Sequence, residues 1–188
     1  MSEYLSGYRV AILATDLFEE SELIEPRKAL EEEGATTVVI APHSGEIQAV
    51  QHDKKTKKVK VDQTLSEADP EKFDAVLIPG GAKNASALRK DQLAQEFVRR
   101  IDQTRRPVAV ICHGPWLLIS ANLVRGRHIT SYKDIASDLR NAGAFWSDQE
   151  VVLDGNWVSS RQPSDLPRFN QEMVNLFAER LARSRPAA

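Results

Sequence analysis

The chain of 188 residues has a single cysteine, Cys112, so no disulfide can close within it. That suits a reducing cytoplasm, which is the expected compartment. No apolar run approaches the roughly 18 residues that a membrane helix needs, and no membrane partner is expected. The start, Met1-Ser2-Glu3-Tyr4, lacks the basic and then apolar character of a secretory signal. Neither sign of charge is in excess: 25 basic and 27 acidic side chains leave a formal net charge of −2. There is no basic or acidic tail either, so specific nucleic-acid binding is not expected. Histidine is scarce and none follows His128. His43, His52 and His128 show no metal-ligand spacing and read as ordinary surface or loop residues. Neither a metal nor a cofactor is called for, and internal repeats and low-complexity linkers are missing.

What remains is an ordinary globular composition, 41% hydrophobic and 28% charged. The length suits one domain over residues 1–188, with its core at 9–181. Continuous apolar runs at 9–15, 36–41, 74–79 and 107–111 predict buried strands. Helices are expected through 29–33, stopped by Gly34, at 91–103, at 116–123 and at 134–141, closed by Gly143. The second of these places Leu93, Phe97, Val98 and Ile101 on one face. Residues 47–50 and 59–61 read as a small hairpin or excursion, with the lysines at 54, 55, 57, 58 and 60 as a solvated edge. A short strand is expected at 128–131. Strands at 150–153 and 157–160 are joined by a turn at Asp154-Gly155-Asn156. Ser164 is the expected cap of a last helix, whose Leu166, Phe169, Met173, Phe177 and Leu181 form a core-packing stripe. Residues 183–188 read as a frayed tail. Strands and helices alternate, and the strands are continuously apolar. This predicts an α/β fold with a mostly parallel sheet covered by helices on both faces.

Ligands of such sheets sit at the carboxyl ends of the strands. Three segments lie there: residues 15–22, Pro79-Gly80-Gly81 and Cys112-His113-Gly114. At Cys112 a strand stops and a helix begins almost at once, as in a nucleophile elbow. Gly114 allows a tight turn, although position 110 is Val rather than the Gly of the commonest elbow signature. The start of the following helix is expected to depress the Cys112 pKa and make a thiolate nucleophile. The N–H groups of Gly80-Gly81 can meet that of His113 over a developing negative oxygen. Of the carboxylates Glu19, Glu20 and Glu22, at least two read as favourable partners of a helix start, and one can reach the sulfur. His113 beside Cys112 can share a proton with it.

Together these segments resemble the ThiJ/PfpI superfamily, which includes the parkinsonism-associated deglycase. The nucleophile motif is matched by Ala109-Val110-Ile111-Cys112-His113-Gly114-Pro115. The PfpI branch fits best, on Phe18-Glu19-Glu20-Ser21-Glu22-Leu23, Leu77-Ile78-Pro79-Gly80-Gly81, Thr130-Ser131-Tyr132 and the stretch from Asp154 to Arg161. The resemblance implies a flavodoxin-like three-layer sandwich, like that of class I glutamine amidotransferases, and a homodimer or larger assembly. It implies that Cys112 is an easily oxidised nucleophile and that Glu22 is the carboxyl bonded to its sulfur, with Glu19 as second candidate. The amides of Gly81 and His113 match the oxyanion hole. Tyr132, Gly80 and Gly114 fall in the wall and supporting shell.

One departure narrows the chemistry. PfpI-type peptidases complete a Cys-His-Glu triad with a neighbouring subunit's carboxylate shortly after Pro-Gly-Gly. Here the aligned residue is about Ala85, and after Pro79-Gly80-Gly81 no carboxylate occurs before Asp91. Proteolysis is therefore demoted. The leading expectation is a stress-response glyoxalase or deglycase acting on small reactive carbonyls or glycated protein. The alternative is an oxidation sensor or chaperone-like protein working through Cys112. A glutamine amidotransferase would need a downstream His-x-Glu pair, which is missing.

Overall fold

The computed structural model describes residues 3–184. In chain order they form β1 (Arg9–Leu13), β2 (Phe18–Glu19), α1 (Glu20–Glu32), β3 (Thr36–Ala41), β4 (Glu46–Gln51), β5 (Lys54–Lys60) and β6 (Gln63–Thr64). There follow β7 (Ala75–Ile78), α2 (Ala82–Leu88), α3 (Gln92–Gln103), β8 (Val108–Ile111) and α4 (Pro115–Ser120). The chain continues through β9 (His128–Ile129), α5 (Ala136–Asn141), β10 (Phe145–Trp146), β11 (Val151–Asp154), β12 (Trp157–Ser160) and α6 (Leu166–Ser184).

Seven strands make the central sheet, in the order β11-β12-β8-β7-β1-β3-β6. Every neighbouring pair runs parallel except β11 and β12. The strands are apolar throughout because both faces are covered, and successive side chains enter different cores. On β1, Val10 and Ile12 pack with Leu23 and Leu30 of α1 and with Phe169, Met173 and Phe177 of α6. Ala11 and Leu13 face the other way, towards Phe97 and Ile101 of α3 and Leu117 of α4. This is the flavodoxin-like three-layer arrangement. Among the described residues no helix is long and apolar enough to cross a membrane.

The structure corrects several local expectations. Leu93 is 50% exposed, and Ala94 takes its place on the buried face of α3. Ser164 does not cap α6. It sits in a 3-10 turn, Pro163–Asp165, and accepts a hydrogen bond from Gln162. Arg183 and Ser184 continue α6, while residues 185–188 lie outside the described residues. The helix α2 has too few apolar residues to show a period and was not expected. The lysine-rich stretch is the exposed outer strand β5 of a separate three-stranded sheet, β2-β4-β5.

At the amino end of β12, Asp102 gathers three donors on one oxygen: Arg127 at 2.9 Å, Asn156 at 2.9 Å and Trp157 at 2.7 Å. Removing this shared acceptor leaves the Trp157 N–H unmet and takes one acceptor each from Arg127 and Asn156. Asp102→Ala is expected to lower stability by about 2–3 kcal/mol in urea unfolding and to leave Cys112 alkylation unchanged.

Candidate active site

The strand β8 ends at Ile111, and Cys112 follows in the left-handed region, at φ 62°. That conformation is uncommon for a residue with a Cβ and costs on the order of 1–3 kcal/mol. Two backbone bonds hold it: Cys112 N–H donates to the Ser160 carbonyl at 3.1 Å, and Tyr132 N–H to the Cys112 carbonyl at 2.9 Å. The sharp turn is thus made by Cys112 itself. Gly114 has ordinary helical angles, and what it supplies is space: a Cβ there would lie 2.9 Å from the carbonyl oxygens of Ile111 and Ile78.

Glu22 projects from the first turn of α1 into the base of the site and is fully buried. Its Oε2 accepts a hydrogen bond from Gly80 N–H at 2.8 Å. Its Oε1 makes no hydrogen bond, and the neighbouring Cys112 thiol acts to lower the carboxyl's pKa. Burial, and then the charge of Glu19, push Glu22 up to about 8. At neutral pH the carboxyl therefore holds a proton. Gly80 makes this contact possible, because a Cβ there would collide with Glu22 Oε2 and stand 2.6 Å from Cys112 Cβ.

The expected depression of the Cys112 pKa is not what the structure gives. Burial first, and then the Glu22 charge, push the thiol up. The following helix cannot reverse this. It has only six residues, and the N–H groups of Gly114, Trp116 and Leu117 are already bonded to local carbonyls. The opposing contribution comes from the backbone amides of Gly81 and His113, which act to lower the thiol's pKa. The proton on Glu22 also removes the like charge that disfavours a thiolate.

His113 Nδ1 lies 3.2 Å from Cys112 Sγ. Burial lowers the His113 pKa, with Asp134 acting weakly in the other direction, so the imidazole is neutral at pH 7. Its ring stacks on Tyr132 at 4.9 Å and meets Trp116 edge-on at 5.3 Å. Above the sulfur opens a cavity of about 690 Å³, with Glu19, Glu22, Gly81, Cys112, His113 and Tyr132 in its wall. Every strand-end segment singled out in the sequence therefore reaches this one site. Between the two candidate carboxyls, Glu22 is the one at the sulfur. Glu19 stands in the cavity wall, and its carboxylate accepts the His52 N–H at 3.1 and 3.3 Å.

A model of the DJ-1/PfpI family matches residues 8–176. The chain belongs to the DJ-1/PfpI family. Among family members, a Bacillus subtilis protein named "Putative cysteine protease YraA" is 44% identical over 169 residues, 90% of this chain and 98% of its own. The Pyrococcus furiosus "Deglycase PfpI" is 43% identical, again over 90% of this chain and 99% of its own. The crystal structure of Drosophila melanogaster DJ-1beta shares the fold, with a TM-score of 0.83 at 24% identity, covering 97% of this chain and 95% of that one.

Residues that sequence reasoning missed also line this cavity. His52, read as an ordinary loop residue, lines the cavity with Asp53 and Lys55 at the tip of the β4–β5 hairpin. Lys83 and Gln162 join them from α2 and from the loop before α6. Only contacts between distant segments reveal these roles, and nothing in their local sequence signals them. Ala85 is buried in α2, and no carboxylate hydrogen-bonds to His113 among the described residues. No metal-binding group of three or more His, Cys, Asp or Glu side chains occurs among them either.

A carboxyl whose pKa is higher folded than unfolded binds its proton more tightly in the native state. Its stabilisation is complete below the unfolded value and is lost as pH rises through the folded one. For Glu22 that window runs from 4.5 to about 8. Wild-type stability is expected to fall across it, and Glu22→Gln to flatten the fall, as read by thermal unfolding at several pH values. Gly80→Ala is expected to change the rate of Cys112 alkylation at fixed pH at least severalfold by displacing Glu22 or the elbow, as read with iodoacetamide.

Proposed function

We propose that this protein is a cysteine-dependent enzyme that converts reactive dicarbonyls, or their early adducts on proteins, into hydroxy acids, in the manner of a glyoxalase or deglycase. A stress-protective role follows from the toxicity of such electrophiles. One observation carries the reading: the Cys112 sulfur lies 3.2 Å from His113 Nδ1 in the wall of one cavity that Glu22 and Gly81 also line. Related proteins named deglycases support the class of reaction.

The steps need no external oxidant. Neutral His113 accepts the Cys112 proton as sulfur bonds to the aldehyde carbon, giving a hemithioacetal. The Gly81 and His113 amides stabilise the negative oxygen, and His113 then returns the proton to it. In its ionised form, a minor fraction at pH 7, Glu22 takes the hydrogen of that carbon as a proton and delivers it to the adjacent carbonyl carbon, while the hemithioacetal hydroxyl proton passes through His113 to the adjacent oxygen. The former aldehyde carbon is oxidised to a thioester while its neighbour is reduced to an alcohol. Water then cleaves the thioester, releasing a 2-hydroxy acid and restoring the thiol.

Peptide hydrolysis fits less well. It needs His113 oriented by a carboxylate to protonate an amine leaving group, and the aligned position holds Ala85. Methylglyoxal consumption, followed by lactate production, tests the proposal. Cys112→Ser is expected to lose at least about 10³-fold in rate and Glu22→Gln about 10²-fold. Unchanged turnover in both variants would sink it.

The same donors also suit the oxygens of an oxidised sulfur, which supports a second reading as an oxidation sensor. Mild peroxide should add oxygen to Cys112 before it touches Met173, as seen by peptide mass analysis. A sulfur that stays unmodified rejects that role.

A further inference from the structure

The Gly80–Gly81 peptide bond is a single rigid plane, and in its trans form the Gly80 carbonyl and the Gly81 N–H point in opposite directions. Whatever fixes the carbonyl therefore aims the N–H. Asn84 Nδ2 donates to the Gly80 carbonyl at 2.9 Å and to that of Pro79 at 3.4 Å. Its Oδ1 accepts the Thr15 N–H at 2.7 Å, so the amide is held from the end of β1 and has one sensible orientation. Asn84 is completely buried in α2, where a polar side chain is retained only with its bonds made. Gly81 lines the cavity with Cys112, and its backbone amide acts to lower the thiol's pKa. The Glu19 N–H adds a longer bond to the Gly80 carbonyl at 3.3 Å.

We propose that Asn84 is a positioning residue: its side-chain amide locks the Gly80–Gly81 peptide so that the Gly81 N–H faces the reacting centre. The proposal rests on the reading of that N–H as an oxyanion donor, but its main test does not need the substrate. Loss of Asn84 frees the peptide to rotate and withdraws one donor from the sulfur and from any oxyanion formed there. No charge is lost, so a change in thiol reactivity reports the aim of the Gly81 N–H.

The test compares Asn84→Ala and Asn84→Leu with Asn156→Ala. Asn156 is a matched control: it is 1% exposed and its side chain also makes three hydrogen bonds, at the other end of the sheet. Iodoacetamide alkylation of Cys112 is followed from pH 7 to 10. Both Asn84 variants should show a profile displaced upwards by about one unit, a tenfold loss at fixed pH, while Asn156→Ala keeps the wild-type profile. With methylglyoxal, kcat should fall about 10- to 100-fold with KM within threefold. Wild-type alkylation profiles in both Asn84 variants, or the same displacement in Asn156→Ala, overturn the proposal. If wild type consumes no methylglyoxal, the proposed function fails and the alkylation result still decides on Asn84. If neither variant folds, 15N-labelled wild type decides: the Asn84 side-chain signals shift when Cys112 is alkylated if the coupling exists, and stay in place if it does not.

Discussion

A carboxyl group buried under a sulfur atom is the constraint around which this site is built. Glu22 loses all contact with water and keeps one backbone N–H, from Gly80. Such a group cannot stay ionised at low energetic cost, so it keeps a proton into the neutral range. That proton offers the sulfur a donor. The absence of a side chain at Gly80 and the left-handed turn at Cys112 both serve the same close approach. The strands bring these parts to one edge of the sheet, and the two helical layers exclude water beneath them.

Two features of the pair pull against each other. Burial makes the thiol a weaker acid, which works against a standing thiolate. The surrounding donors favour charge that appears during reaction. A site of this kind keeps its nucleophile protonated until an electrophile arrives. The neutral imidazole 3.2 Å away can then receive the proton as the new bond forms. Transient charge, rather than stored charge, is what the geometry accommodates.

Much of this was legible in the sequence. Continuous apolar runs identified β3 to the residue and the other main strands nearly so, because parallel strands buried on both faces cannot tolerate polar interruptions. Cys112, Gly81 and Glu22 were legible because each sits where a strand gives way to a turn or a helix begins. The ionisation of Cys112 was misjudged. A helix start suggested a positive end, but α4 is short and its first amides are occupied. Leu93 and Ser164 were misplaced for a similar reason, since local pattern cannot tell which side of a helix meets the sheet or whether a 3-10 turn intervenes. His52 and Asn84 could not be found this way, because their importance lies in contacts with residues far off in the chain.

The rim of the cavity has a different origin from its floor. The floor is made of strand ends and glycines packed so tightly that a single added carbon collides. The rim at His52, Asp53 and Lys55 belongs to a hairpin whose outer strand is almost entirely exposed and packs on little beyond its own sheet. The hairpin enters a hydrophobic core only through Ile47, Ala49 and Val59, so charge changes at its tip and along its exposed lysines leave both cores intact. One part of the site is therefore frozen by packing while the other is free to drift. Substitutions at the hairpin tip thus alter the entrance to the cavity while the atoms around the sulfur stay as they are.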